Sequence, residues 1–210
     1  AEALNISATA AGVELLHEIR VVKDSGGFIE TIRLHNTTNN PLSVEDYCFG
    51  LRREQSARGE LRAVAVPFRR QADGKLRDWT LAEIEAGKAS NSDWHNDATV
   101  QAPELVDSKR GRLRSEGWIL TDGRRGLLVA KYNQDDIEYS MLDWQTGGRK
   151  GLTFGGSAFA LHREPESMQT LASGRSVSLG PTYYLPFDGD WPAGYARFRT
   201  LLNELGHGLS

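Results

Sequence analysis

Val13-Glu14-Leu15-Leu16-His17-Glu18-Ile19-Arg20-Val21 is the stretch that decides the fold. Its odd positions read Val13, Leu15, His17, Ile19 and Val21, with Glu14, Glu18 and Arg20 between them. A period of two marks a strand with one face turned to a core. Asp24-Ser25-Gly26-Gly27 is a turn cluster, after which Phe28, Glu30, Ile32 and Leu34 alternate with Ile29, Thr31, Arg33 and His35. Asn36-Thr37-Thr38-Asn39-Asn40-Pro41 then breaks the pattern. Two alternating runs about a turn predict a hairpin.

The same theme continues along the chain. Leu42 to Phe49 and Leu61 to Phe68 are further strand candidates. Trp118-Ile119-Leu120 joins Leu127-Leu128-Val129-Ala130 through Asp122-Gly123, one of the stronger short hairpin signals. Ile137 to Trp144, Leu152 to Leu161 and Ser176 to Leu185 follow. Strands at this spacing, with little helix between them, predict an all-β fold: an antiparallel sandwich rather than a parallel βαβ sheet.

Two regions depart from the strand pattern. Gln71 to Asp97 turns polar, with Trp79, Leu81 and Ile84 as scattered apolar anchors, and reads as a long excursion lying over the sheet. Loops of that length serve binding or move, so this is one place to look for ligand contacts. The other departure is the C-terminal end, where Asp190 caps a helix striped with Trp191, Tyr195, Phe198, Leu201, Leu202 and Leu205. Pro192 stands in its first turn and Gly206 is placed to stop it. The division expected is therefore a sandwich over residues 1–188 and a helix over 189–210 that leads toward a further domain. Trp191, Tyr195, Phe198 and Leu202 are its candidate interface residues, with Trp191 and Phe198 held by the sandwich and part of the Leu201 to Leu205 end free.

Composition narrows the function classes. The 210 residues are 39% hydrophobic, enough for one large β domain. A formal charge of -3 offers no global excess to draw nucleic acid or an anionic membrane. No apolar run approaches the roughly 20 residues of a membrane-crossing helix. The single cysteine, Cys48 in Tyr47-Cys48-Phe49, excludes an intramolecular disulfide and reads as a small buried hydrophobe. A lone cysteine with no signal segment fits the cytoplasm.

The chain from Leu171 to Gly180, followed by Tyr183-Tyr184-Leu185-Pro186-Phe187-Asp188-Gly189-Asp190-Trp191 and the helix, resembles the end of the N-terminal β-supersandwich of α-galactosidase (melibiase-type) glycoside hydrolases. The early segment Phe28 to Leu42 resembles that family's first strands, where a long strand ends in Asn-Thr and a Pro-hydrophobic pair restarts the next. Related sandwiches occur in other glycosidases, polysaccharide lyases and aldose mutarotases. The resemblance implies a catalytic (β/α)8 barrel after this domain as its main partner. The catalytic carboxylates would belong to that barrel, and none is carried onto this sequence.

The residues present agree with a domain that has no catalytic site of its own. Glycoside cleavage needs two carboxylates held roughly 5 to 10 Å apart across a sugar. Asp135-Asp136 reads as a solvated turn, and Asp188 and Asp190 as turn and cap groups. Asp188-Gly189-Asp190 lacks the spacing of a calcium loop, and the histidines His17, His35, His95, His162 and His207 form no pair at metal-ligand spacing on one helix, so no metal and no cofactor are expected. Gly147-Gly148 and Gly155-Gly156 read as turn or bulge glycines, and Lys109 to Arg114 as a solvated hairpin edge. His17 reads as a core or rim residue.

Trp94 and His95, in Asn91-Ser92-Asp93-Trp94-His95-Asn96-Asp97, are the candidate sugar contacts, since an indole face beside hydrogen-bonding groups suits a sugar ring. Trp79 and Trp144 are further candidate platforms. The bland alternative for Trp94 is a side chain that pins its loop to the core. Three functions remain open: the supporting sandwich of a glycoside hydrolase, which would also help it form a homo-oligomer; an independent carbohydrate-binding module; and a mutarotase-like or lyase-like enzyme using His95 or His162 with a carboxylate.

Overall fold

The structure is a computed structural model that describes residues 3–23, 25–43, 46–53, 61–66, 78–86, 88, 112–131, 138–144, 151–159 and 170–208. The hairpin predicted from alternation is present. β2 (Val13–Val22) pairs antiparallel with β3 (Gly27–Asn36) over its whole length, from Val13 opposite Asn36 to Val22 opposite Gly27. Ahead of it lies β1 (Ala3–Ala10), which pairs with β2 from Ala3 opposite Arg20 to Ala10 opposite Val13. The intervening Ala11-Gly12 turn has φ of 48° and 78° at its two residues. Two positive φ values match a tight turn to the twist of its strands, and Gly12 adopts its value without a Cβ penalty.

From β3 the large sheet continues through β15 (Thr182–Asp188), β10 (Arg125–Lys131), β9 (Gly117–Thr121), β6 (Arg62–Val66) and β7 (Asp78–Thr80), with β14 (Ser176–Ser178) also on β3. A four-stranded sheet, in the order β5 (Asp46–Arg53), β12 (Leu152–Phe159), β11 (Glu138–Trp144) and β8 (Arg112–Ser115), forms the second layer. β4 (Leu42–Ser43) and β13 (Thr170–Leu171) make a small separate pair. Every pairing is antiparallel, and the architecture is the expected all-β sandwich. The β9–β10 hairpin turns at Asp122, whose Oδ1 accepts from the N–H groups of Arg124 and Arg125 at 2.9 and 3.0 Å. Those donors hold its carboxyl below the usual carboxylate range.

The central strands of the large sheet are covered on both sides. Residues directly opposite each other across antiparallel strands share a face. Ala63, Trp118, Leu120, Val129 and Tyr184 pack on one face with Leu142, Leu152 and Phe154 of the second sheet. Val64, Ile119, Leu128, Tyr183 and Leu185 on the other face meet Phe198 and Leu201 of the C-terminal helix α2 (Trp191–Glu204). That double burial explains why β9, Gly-Trp-Ile-Leu-Thr, is buried at every residue and shows no alternation.

Helix α2 has the predicted boundaries. Asp190 Oδ1 accepts from the Trp191 N–H at 2.7 Å, and Pro192 follows in the first turn. At the other end Gly206, at φ 81°, donates to Asn203 O while His207 donates to Leu202 O, a paired stop of the Schellman kind. Gly194 lets the helix approach closely: a Cβ there would lie 2.6 Å from Ile119 Cγ2 and 2.8 Å from Phe187 Cζ. Leu201 is buried on the sheet with Phe198, while Leu202 and Leu205 are partly buried and Asn203 and Glu204 exposed.

Three expectations change. The region from Gln71 to Asp97 is not wholly an excursion, since Asp78–Thr80 joins the large sheet as β7 and leads into α1 (Leu81–Glu85). Thr80 caps α1 reciprocally with Glu83: Thr80 Oγ1 accepts from Glu83 N at 3.2 Å and the Glu83 carboxylate accepts from Thr80 N at 2.8 Å. The single strand expected over Ser176 to Leu185 is two, β14 and β15, interrupted at Leu179-Gly180-Pro181, where Pro181 has no N–H to give a ladder. Gly155 and Gly156 lie inside β12 rather than in a turn, and a Cβ on Gly155 would fall 2.0 Å from Phe49 O, so the close approach of β5 requires glycine.

Candidate functional site: a polar seam between the sheets

The cross-strand row Glu30, Thr182, Lys131 runs along the face of the large sheet that looks at the second sheet. All three are buried, in a layer otherwise filled by aromatic and aliphatic side chains. A charged group there is tolerable only with a partner. Glu30, fully buried, accepts a 2.5 Å hydrogen bond from the Tyr184 hydroxyl. His17 Nε2 stands 2.6 Å from the other carboxylate oxygen, Oε1, in an approach outside hydrogen-bonding angles, with its side chain 19% exposed at the rim. Burial, with the Glu30 charge beside it, raises the Tyr184 phenol and keeps it a donor.

Lys131 and Glu138 bridge the two layers. Lys131 Nζ lies 2.6 Å from Glu138 Oε2 and donates to Gly180 O at 2.5 Å. Both Glu138 oxygens accept from the Gly180 N–H at 3.0 Å. This is where the break between β14 and β15 sends its backbone groups: Gly180 is held on both its N–H and C=O by one ion pair. Burial lowers the Lys131 ammonium and the Glu138 charge opposes that shift. Gly156 supplies the room, since a Cβ on it would lie 2.6 Å from Thr182 Oγ1 and 2.8 Å from Lys131 Cδ. Thr182 Oγ1 is buried and has no hydrogen-bond partner among the described residues.

Two further bonds run along the seam. Trp118 Nε1 donates to Ser140 O at 3.2 Å, and Ser140 Oγ donates to Glu116 O at 2.9 Å. The Glu116 carboxyl is pushed up to about 7 by burial alone. A carboxyl ionising near neutrality is a feature of acid-base sites, but it also arises wherever an acid is desolvated without a counter-charge.

As chemistry, this cluster is an inward-facing network that leaves Glu30 Oε1, His17 Nε2 and Thr182 Oγ1 without hydrogen bonds among the described residues. The Glu30 and Glu138 carboxylates are spent on protein donors inside the interlayer, whereas glycoside cleavage requires a pair facing a sugar. Among the described residues no group of three or more His, Cys, Asp or Glu side chains is arranged to hold a metal ion. No helix among them is long and apolar enough to cross a membrane.

The sequence-predicted residues fall in several places. Trp94 and His95 lie outside the described residues, as do His162, Asp135, Asp136, Gly147, Gly148 and Lys109 to Gly111. Trp144 ends β11, with only its backbone described. Trp79 is partly buried, its ring 6.1 Å from that of Trp118. Arg112 to Ser115 form β8, at the edge of the second sheet. On α2, Phe198 is buried, Trp191 and Leu202 are partly buried, and Tyr195 is 40% exposed. The sequence does not single out the seam: Glu30 and Glu138 fall inside expected strands, and Lys131 lies one residue beyond the expected Leu127 to Ala130 run. A charged residue in the core-facing phase of an alternating run, as Glu30 is in Phe28-x-Glu30-x-Ile32, was the available signal.

No family model and no curated protein sequence matches this chain. Among solved structures it is similar to the galactosidase domain of the alpha-galactosidase-sucrose kinase AgaSK, with a TM-score of 0.52 and 11% identity. That match covers 89% of this chain and 24% of the other, so the chain spans about a quarter of the structure it resembles. At that identity the likeness is one of fold: the chain has a galactosidase-domain-like β fold.

Proposed function

We propose that this chain is the non-catalytic N-terminal sandwich of an α-galactosidase-like glycoside hydrolase of the cytoplasm, supporting a following (β/α)8 barrel and lending the loop around Trp94 to its sugar pocket. The observation that carries the reading is the likeness to a galactosidase domain in which nearly all of this chain corresponds to a minor part of a much larger one. Two features support it. The buried carboxylates Glu30 and Glu138 serve protein donors rather than an open cleft. Helix α2, docked through Phe198 and Leu201, keeps Tyr195 exposed and Trp191 partly so, an apolar strip of the kind that an adjoining domain covers.

Three measurements test the reading. The reading frame beyond Ser210 should encode several hundred residues with alternating strand and helix patterns, and a stop codon at that point overturns it. The isolated chain should give background rates on nitrophenyl α-galactoside, and turnover abolished by one Asp or Glu substitution within these residues would refute a non-catalytic role. Calorimetric titration with galactose should show at best millimolar affinity, because one platform leaves most of a sugar in water. Micromolar binding lost in Trp94→Ala would instead identify an independent carbohydrate-binding module.

A further inference from the structure

β1 differs from the other sheet edges among the described residues. It carries Ala3-Leu4-Asn5-Ile6-Ser7-Ala8-Thr9-Ala10, eight residues, all exposed, with no charge and no proline. Its register with β2 runs without a bulge. Edge strands are normally shielded from pairing by shortness, charge, proline or a bulge. The opposite end of the large sheet follows that rule: β7 has three residues, and its Asp78 pairs with Arg62. The edges of the second sheet follow it too, with Asp46, Arg52 and Arg53 in the sequence of β5 and Arg112 and Arg114 in that of β8. No described strand pairs with the outer side of β1. Leu4 is 57% exposed and Ile6 43%.

We infer that β1 is a homodimer interface: two copies of this chain join their large sheets by antiparallel pairing of β1 with β1. The occupant follows from charge and register. A two-fold axis sets each residue opposite a residue of the same strand, so any charged edge tends to meet its own sign, and like charges directly opposite are destabilising. β1 has none. An axis normal to the sheet at Ile6 sets Leu4 opposite Ala8 and Asn5 opposite Ser7, which keeps Leu4, Ile6 and Ala8 of both copies on one face and Asn5, Ser7 and Thr9 on the other. The nearest charges, Glu14, Glu18 and Arg20, lie one strand back on β2. β2 of one copy and β2 of the other are then three strand spacings apart, about 14 Å, beyond the screening length of about 8 Å at physiological salt. The strand spans about 27 Å, and a contact of that length falls at or below the roughly 800 Å² per partner of a standard interface. Association is accordingly concentration-dependent.

The test is sedimentation equilibrium of the whole 210-residue chain beside two variants, Ile6→Lys and Ile6→Glu. The wild type should move from monomer to dimer between micromolar and millimolar concentration. Each variant alone should associate at least about tenfold more weakly, since the substitution places like charges across the axis. An equimolar mixture of the two should regain the dimer, because opposite charges then face each other. The positions are exposed, and far-UV circular dichroism checks that the sheets persist. Independently of any variant, amide exchange of wild-type Leu4 to Thr9 should slow as concentration rises. A wild type monomeric at millimolar concentration, or a dimer that both variants keep unchanged with no added protection of these amides, overturns the inference.

Discussion

Replacing Glu116 by glutamine should stabilise the protein at neutral and alkaline pH and leave it unchanged in acid. The Glu116 carboxyl ionises at about 7 instead of the ordinary 4.5, because burial disfavours its charged form and no cation among the described residues offsets it. In the unfolded chain the group ionises at its ordinary value, so below that pH both states hold the proton and the folded state bears no penalty. As pH rises from 4.5 to about 7 the unfolded chain releases the proton first, and stability falls across that window before levelling off. At 1.36 kcal/mol for each tenfold change in proton affinity the full penalty is about 3 kcal/mol, and the side chain's partial exposure brings the expectation to about 2 kcal/mol. Glutamine has a similar shape and cannot ionise. Urea unfolding of wild type and Glu116→Gln from acid to mildly alkaline pH, followed by the fluorescence of the buried Trp118, gives the difference curve. It should be near zero below the ordinary carboxylate range and rise to a plateau of about 2 kcal/mol above neutrality. Parallel stability curves, or a glutamine variant less stable at alkaline pH, would refute a desolvated, unpaired Glu116.

Lys131→Met should cost about 3 to 5 kcal/mol at neutral pH, because it removes the Lys131 ammonium from beside the buried Glu138 carboxylate. Adding Glu138→Gln should recover part of that loss, and a double variant no more stable than the single one would show that the pair does not act as a unit. Phe198→Ala should cost about 3 to 5 kcal/mol in denaturant unfolding as a buried aromatic site is emptied. Tyr195→Ala, on the exposed side of the same helix, should stay within about 0.5 kcal/mol. Equal losses at the two positions would contradict the orientation of α2.

What the sequence revealed follows the contrast between the two faces of each element. β2 and β3 were legible because apolar and polar residues alternate along them. Helix α2 was legible from cap to stop, since Asp190, Pro192 and Gly206 each have a positional chemistry that needs no tertiary information. β1 was not, because alanine fills Ala3, Ala8 and Ala10 and both faces are exposed, leaving no alternation to detect. Its one local signal was the Ala11-Gly12 turn. The Thr80-Leu81-Ala82-Glu83 capping box was likewise readable within a segment whose polarity suggested a loop. Only the phase of Glu30 hinted at the seam: Glu30, Lys131 and Glu138 come from three strands in two sheets, and the room that Gly156 leaves beside Thr182 and Lys131 is a tertiary feature that no local pattern shows.

The same seam bears on what the sandwich would contribute to the larger enzyme proposed above. A buried ion pair is weak evidence for stability, since well-packed apolar residues of similar volume commonly do as well. Apolar side chains alone, however, would let one sheet slide on the other at small cost, because dispersion contacts have no preferred direction. Lys131 with Glu138 ties β11 to β10, Trp118 with the Ser140 carbonyl ties it to β9, and the Ser140 hydroxyl with the Glu116 carbonyl ties it to the residue just before β9. Each is directional, and together they fix the offset between the layers. Glu138 also holds Gly180, at the break that sets where β15 begins and hence where Asp190 starts the helix. A domain that presents a helix to a neighbour needs that chain of placements to be rigid, and the polar groups buried between the sheets supply it.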